Sequence, residues 1–143
     1  VSPIRASERA RYPANWPEIS LRIRFVRANR RCECTGQCGH DHAAEAAENP
    51  LSHIEAWADP KSDLSRCVAI HSRPAPITGS IVVLTTAHLD HQPENCADDN
   101  LLALCNRCHL AYDADHHAQT RAATRRAVLA AQMAPLFPLE MTE

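Results

Sequence analysis

The stretch that decides how this chain is read is Thr86-Ala87-His88-Leu89-Asp90-His91, followed by Asn100-Leu101-Leu102-Ala103-Leu104-Cys105-Asn106-Arg107-Cys108-His109. A histidine-rich strand end, an asparagine and a Cys-x-x-Cys pair closed by another histidine stand within this short span. Packing a core needs no such combination. It offers ligands for a metal and an imidazole able to accept a proton near neutral pH.

Cys105-x-x-Cys108 is half of a tetrahedral thiolate site, because a two-residue gap lets both sulfurs face one ion. The other half must come from upstream. Cys32, Cys34, Cys38 and Cys67 are the candidates, and none of them forms a second Cys-x-x-Cys. Cys32 and Cys67 are the first choice for a structural zinc, since they would tie the end of a helix and the start of a hairpin to the knuckle. Cys34 and Cys38 are the alternative pair, able to hold a second ion with His40 or His42. Cys96, in a loop, is assigned no role.

His88, Asp90 and His91 sit at the mouth of a predicted strand, just before the loop that leads to Asn100. Hydrolysis of a phosphodiester needs a base to take a proton from water and a cation to neutralise the departing oxygen. Neutral imidazole suits the first task. His109 and Asp113, one helical turn apart at i+4, offer a nitrogen and an oxygen for the second. His116 and His117 read as solvated surface, and Asn100 also suits a helix N-cap.

Outward from this centre, residues 1–14 read as a loose lead-in. Trp16-Pro17-Glu18 starts a helix, with proline in its first turn and glutamate complementing the dipole. Ile19, Ile23 and Val26 recur at helical spacing, and the helix should stop near Arg30. Arg24, Arg27 and Arg31 line another stripe, the candidate contacts to nucleic acid. Residues 40–66 read as a polar insertion with one or two short helices, including a capping box at Ser52-His53-Ile54-Glu55 ahead of Trp57. A hairpin is predicted from Cys67 to His71, through a Pro74/Pro76/Gly79 turn, into the β-branched strand 81–86. Asn100 to Leu104 should form a helical turn. A longer helix should run from about Asp115 to Met133, with a frayed tail from Pro135.

The result is an α+β chain of 143 residues, expected to be one domain over 1–143. Seven cysteines, an odd number, and no apolar run at the amino end favour reduced thiolates in a cytoplasmic setting over a disulfide framework. No stretch is long enough to span a bilayer. A net charge of −2 gives no global support for binding nucleic acid. Positive charge is local and almost wholly arginine, which suits bidentate phosphate contacts: Arg22, Arg24, Arg27, Arg30 and Arg31 form one group, and Arg121, Arg125 and Arg126 another.

At these residues the chain resembles the HNH endonuclease family. Asn100, His109 and the Asn-Leu-x-x-Leu-Cys-x-x-Cys-His run match the second half of the family's motif. Arg31-Cys32-Glu33 and the strand from Val82 to His91 look like its zinc-containing branch associated with phages and prophages. The resemblance covers about residues 20–113 and leaves the 40–66 insertion unmatched. It implies a ββα-metal (His-Me finger) core with a zinc knuckle and flanking N- and C-terminal helices. It also implies a catalytic Mg²⁺ or other divalent ion, cleavage of DNA, and a bacterial or phage-infected host cell. Carried over, His88 is the first choice for the base and His91 the alternative. Asn100 would brace the loop, and His109 would share the catalytic ion with Asp90 and Asp113. The chain departs from the family's Asp-His pair, because Ala87 precedes His88 and cannot bind a metal. That departure and the acidic balance favour a second expectation, a zinc-stabilised nucleic-acid-binding module without catalysis.

Overall fold

A single turn, α1 (Ala6–Arg9), precedes the first substantial helix, α2 (Trp16–Leu21), which opens where Pro17 and Glu18 predict. This computed structural model describes residue 4 and residues 6–48, 65–75 and 77–133. The capping box at 52–55, Trp57, Pro76 and the tail from Pro135 lie outside the described residues.

The helix does not continue as an α-helix. Arg22–Arg27 widens into a π-helix, and the Ala28 N–H donates to the Ile23 carbonyl, five residues back, at 3.0 Å. Widening changes which side chains reach the core. Ile23 and Ala28, five apart, are buried, whereas Val26 is 76% exposed. Val26 therefore drops out of the apolar stripe that α-helical spacing predicts. The helix stops as expected, with Asn29 and Arg30 both in the left-handed region.

Residues 31–34 then run extended through the middle of the molecule. Arg31 bridges Ile70, the Cys32 N–H donates to the Ala69 carbonyl, and the Cys67 N–H donates to the Cys34 carbonyl. Two arginines clasp the same crossing. Arg31 Nε donates to the Cys67 carbonyl at 3.0 Å, and Arg66 Nε to the Cys32 carbonyl at 2.7 Å. Among the described residues a short helix follows, α3 (His42–Glu48), within the segment expected to hold one or two.

The predicted hairpin forms its turn and a short antiparallel pairing, with Pro74 bridging Ile81. Val82 N–H donates to the Arg73 carbonyl and Ser72 N–H to the Val82 carbonyl, yet Ile70 faces Arg31 rather than the 81–86 segment. The strand proper is β1 (Leu84–His88), and it pairs antiparallel with β2 (Leu101–Cys105) in the register Thr86↔Ala103. This corrects the helical turn expected over Asn100 to Leu104. Only Asp98–Asn100 turns, as a 3-10 helix. Leu-Leu-Ala-Leu favours helix intrinsically, but tertiary pairing overrides it. β1 satisfies one edge of β2. On the other, the Glu33 N–H donates to the Ala103 carbonyl at 2.7 Å, and Glu33 Oε2 accepts from the Ala103 N–H at 2.8 Å. Strand alternation then sends Leu101 and Ala103 to Ile23 and Ala28, and Leu104 to a second cluster built mainly of cysteines.

β2 passes directly into α4 (Asn106–Tyr112), giving the order strand, loop, strand, helix. The chain divides into two compact units, Val1–Tyr112 and Asp113–Glu143. The second holds α5 (Ala114–Gln132), within a residue of the predicted span, with an ion pair between Asp113 and His117 at 3.8 Å. The architecture is a small α+β arrangement around cysteines. No described helix is long and apolar enough to cross a membrane.

Candidate metal centre and histidine loop

All seven cysteines are free thiols, and all but Cys96 are buried. Two groups of ligand atoms lie within 4.8 Å of one another: Cys32, Cys67, Cys105 and Cys108, and Cys34, Cys38, His42 and Cys108. The first is the quartet preferred from sequence. The second contains the alternative pair and one of the two histidines offered with it. Both groups could hold a metal ion such as zinc. What sequence reasoning missed is that Cys108 belongs to both.

Backbone amides point at these sulfurs. Cys105 N–H donates to Cys32 Sγ at 3.2 Å, and Cys108 N–H to Cys105 Sγ at 3.4 Å, the latter a direct result of the helix beginning at Asn106. Such bonds favour the thiolate. Without a cation the crowded sulfurs compete for protons. The Cys108 thiol and then Cys32 hold Cys105 far below the ordinary thiol range, while Cys105 pushes Cys108 far up. Cys108 also pulls Cys34 down to about 4, helped by His42 and the amides of Gly36 and Cys38. A divalent ion replaces those shared protons, so binding releases them.

His42 is buried and held from both ends of its ring. Nε2 lies 3.5 Å from Cys38 Sγ, and Nδ1 lies 3.4 Å from Glu45. Glu45 is itself held by both terminal nitrogens of Arg107, at 2.6 and 3.0 Å. Burial opposes protonation of His42, but Cys34, Cys67 and Glu45 outweigh it and raise the pKa. The i+4 step from Cys38 to His42 and the i+3 step to Glu45 were the signals available in the sequence. A cavity of about 380 Å³ opens beside this cluster, lined by His42, Glu45, Val82, Arg107 and Leu110 among others. The strand-end histidines do not line it.

The histidine end is built differently. Asn100 braces the loop between the strands. Its Oδ1 accepts from the Asp90 N–H at 3.2 Å, and its Nδ2 donates to Asp90 Oδ1 at 2.9 Å and to the Asn95 carbonyl at 2.8 Å. Asp90 also accepts from the Asn95 side chain and the Gln92 N–H. Together Asn100, Asn95 and Gln92 hold its carboxyl down to about 2. His91 turns the chain with φ +56° and stacks on Tyr112 of α4, 5.3 Å between ring centres. Tyr112 in turn donates from its hydroxyl to the Leu89 carbonyl at 2.6 Å.

His88 and His109 approach the hairpin from opposite faces. Thr86 and His88 face α2, where the His88 ring stacks on Trp16 at 4.9 Å and meets Tyr12 edge-on. His88 Nε2 lies 3.7 Å from Cys96 Sγ, a contact for the one cysteine left without a role. Burial lowers the His88 pKa against the pull of Asp90 and Glu94, and positive charge on His109 or His91 would lower it further. Thr85 and Ala87 face α4, where His109 Nδ1 lies 2.5 Å from Thr85 Oγ1. The Thr85 hydroxyl also reaches the Leu104 carbonyl at 3.3 Å, and when it donates there Nδ1 is the donor to Thr85 and Nε2 is left as an acceptor. Among the described residues, neither His109 nor Asp90 joins a group of three ligand atoms as close as those of the cysteines. Asp113 opens the second unit.

The arginine stripe expected to contact nucleic acid is engaged within the fold. Arg27 donates to both Glu33 oxygens and to the Asp98 and Leu101 carbonyls. Arg24 donates to the Ser20 and Leu84 carbonyls, and Arg31 to those of Cys67 and Arg66. A run of arginines on a helix cannot be told from a phosphate-binding face until the acceptors are known. The chain matches no protein-family model, no curated protein and no solved structure.

Proposed function

We propose that this chain is a metal-dependent endonuclease of the HNH type, with a ββα-metal core, that hydrolyses DNA phosphodiester bonds from a zinc-held scaffold. The observation that carries the reading is the reciprocal bonding of Asn100 and Asp90, which fixes the loop bearing His88 and His91 just ahead of β2 and α4. Asn100 is thus a positioning residue, in the part the family resemblance gives it. His109 Nε2 and the ionised Asp90 would hold the catalytic ion, Mg²⁺ or a similar divalent cation. When bound, that ion neutralises charge on the scissile phosphate and the departing oxygen. His88 is the base. Burial keeps its ring neutral near pH 7, the state able to accept a proton from water.

Nicking of supercoiled plasmid, with Mg²⁺ added or omitted, tests this. Omission is preferable to chelation, because a chelator would also remove zinc. Open circles should form only with the added ion, and His88→Ala should stop their formation at unchanged zinc content. An active His88→Ala protein alongside a dead His91→Ala protein would move the base to His91. Binding of DNA with no ion-dependent nicking would instead support the non-catalytic module. That second reading is favoured by the 9% exposure of His88 and the internal engagement of the arginines.

A further inference from the structure

We propose that Cys108 is a bridging thiolate, shared by two zinc ions in one binuclear centre made of Cys32, Cys34, Cys38, His42, Cys67, Cys105 and Cys108. The inference concerns the scaffold and does not depend on the cleavage reading.

Ligand arithmetic is the first support. Two tetrahedral ions need eight ligand positions at four each. Seven side chains are gathered, and they fill those positions if one serves twice. Cys108 is the one residue common to both groups.

Distances are the second. Zinc–sulfur bonds of about 2.3 Å and zinc–nitrogen bonds of about 2.0 Å give tetrahedral edges of about 3.8 Å between sulfurs and about 3.6 Å between sulfur and nitrogen. Cys108 Sγ lies 3.8 Å from Cys67 Sγ in the first group and 3.8 Å from His42 Nε2 in the second. Cys38 Sγ to His42 Nε2, an edge of the second group alone, is 3.5 Å. The sulfur of Cys108 therefore stands at ligand-edge separation from both sets at once.

Outer contacts are the third. A metal-bound histidine commonly gives its other ring nitrogen to a carboxylate, which fixes the tautomer and aims the ligand nitrogen. Glu45 does this for His42, and Arg107 holds Glu45. Arg107 stands one residue before Cys108 on α4, so the helix that carries the bridge also orients the histidine. Six thiolates outweigh two dications, and the Arg107 guanidinium lies close enough to feel Cys108 and Cys67 as well as Glu45. Each ion also draws ligands from segments far apart in the chain, which suits a scaffold with few large apolar side chains.

The test is the metal content of the full chain purified with zinc, read by native mass spectrometry, followed by cadmium exchange and cadmium NMR. Two ions per chain are expected, with two cadmium resonances split by mutual coupling through the shared sulfur. His42→Ala and Cys38→Ser should each reduce the content from two ions to one while the protein stays folded, and the remaining cadmium signal should lose its splitting. Cys96→Ser should keep both ions. One ion per chain in the unmodified protein, or two resonances without mutual coupling, overturns the proposal. Because both readouts use the unmodified chain, a Cys108→Ser protein that fails to fold leaves the test intact.

Discussion

The two ends of the β1–β2 hairpin are held in place by different physics. At the β2–α4 end, sulfurs from separate segments converge within 4.8 Å of one another, and backbone amides point at them. At the other end, His88 is fixed by aromatic stacking and the loop by an asparagine–aspartate pair, while His109, in contact with Thr85, lies nearer the sulfur end. The first end could settle its charge with a bound ion. The second keeps its shape from ring stacking and hydrogen bonds to one carboxylate. On the proposed reading, rigidity and reactivity are separated along one short sheet.

Removing the ions should break this contrast most severely. Structural zinc contributes on the order of 10 kcal/mol, comparable with the entire stability of a small domain. Treatment with a strong zinc chelator should therefore abolish cooperative thermal unfolding of the first unit, followed by circular dichroism. A chelated protein with an unchanged transition would mean that the sulfurs are ordinary core thiols.

Next in size is His88→Ala, expected to slow plasmid nicking by about 10²–10⁴-fold, the usual contribution of a positioned base. Bound zinc should not change. If nicking and zinc content fell together, the two ends would not be independent.

Asn100→Ala sharpens the comparison further. It removes three hydrogen bonds from the loop, so nicking should fall well before the melting temperature does, and the Asp90 carboxyl should titrate closer to its ordinary value. Asp90 is depressed in the fold, so its contribution is present above the ordinary value of 3.8 and is lost as pH falls toward about 2. Titration of the Asp90 carboxyl by NMR measures this shift.

The smallest effect concerns pH. The His88 pKa is lowered below its ordinary 6.5 by burial. Its contribution to stability is complete above 6.5 and is lost as pH falls through the depressed value, and the neutral base survives into mildly acidic solution. Trp16→Ala uncovers one face of the ring and should move the acid limb of the nicking profile up toward 6.5. An unmoved limb would assign it to another group.

The cysteine quartet was legible because two-residue spacing and chain position limit which thiolates can meet. The long C-terminal helix was legible from its alanine-rich composition and its polar start. β2 was not, since leucine and alanine favour helix and only Glu33, brought in from far upstream, reveals the strand's second edge. Val26 misled because one wide turn changes the period from which faces are inferred. The internal partners of the arginines were hidden for a related reason: many of them are main-chain carbonyls, which leave no mark in a sequence. The double membership of Cys108 was hidden because sequence spacing cannot show one sulfur facing two neighbours.

Glu33 stands between Cys32 and Cys34, one ligand candidate from each sulfur group, and it covers the outer side of β2 through Ala103. The residues that would grip the ions are thus also the bumper that keeps this short sheet from recruiting a foreign strand. Loss of ions held there would free that segment and uncover Ala103 on the edge of β2. Self-association through β2, rather than simple loosening, is the outcome expected of a metal-stripped protein.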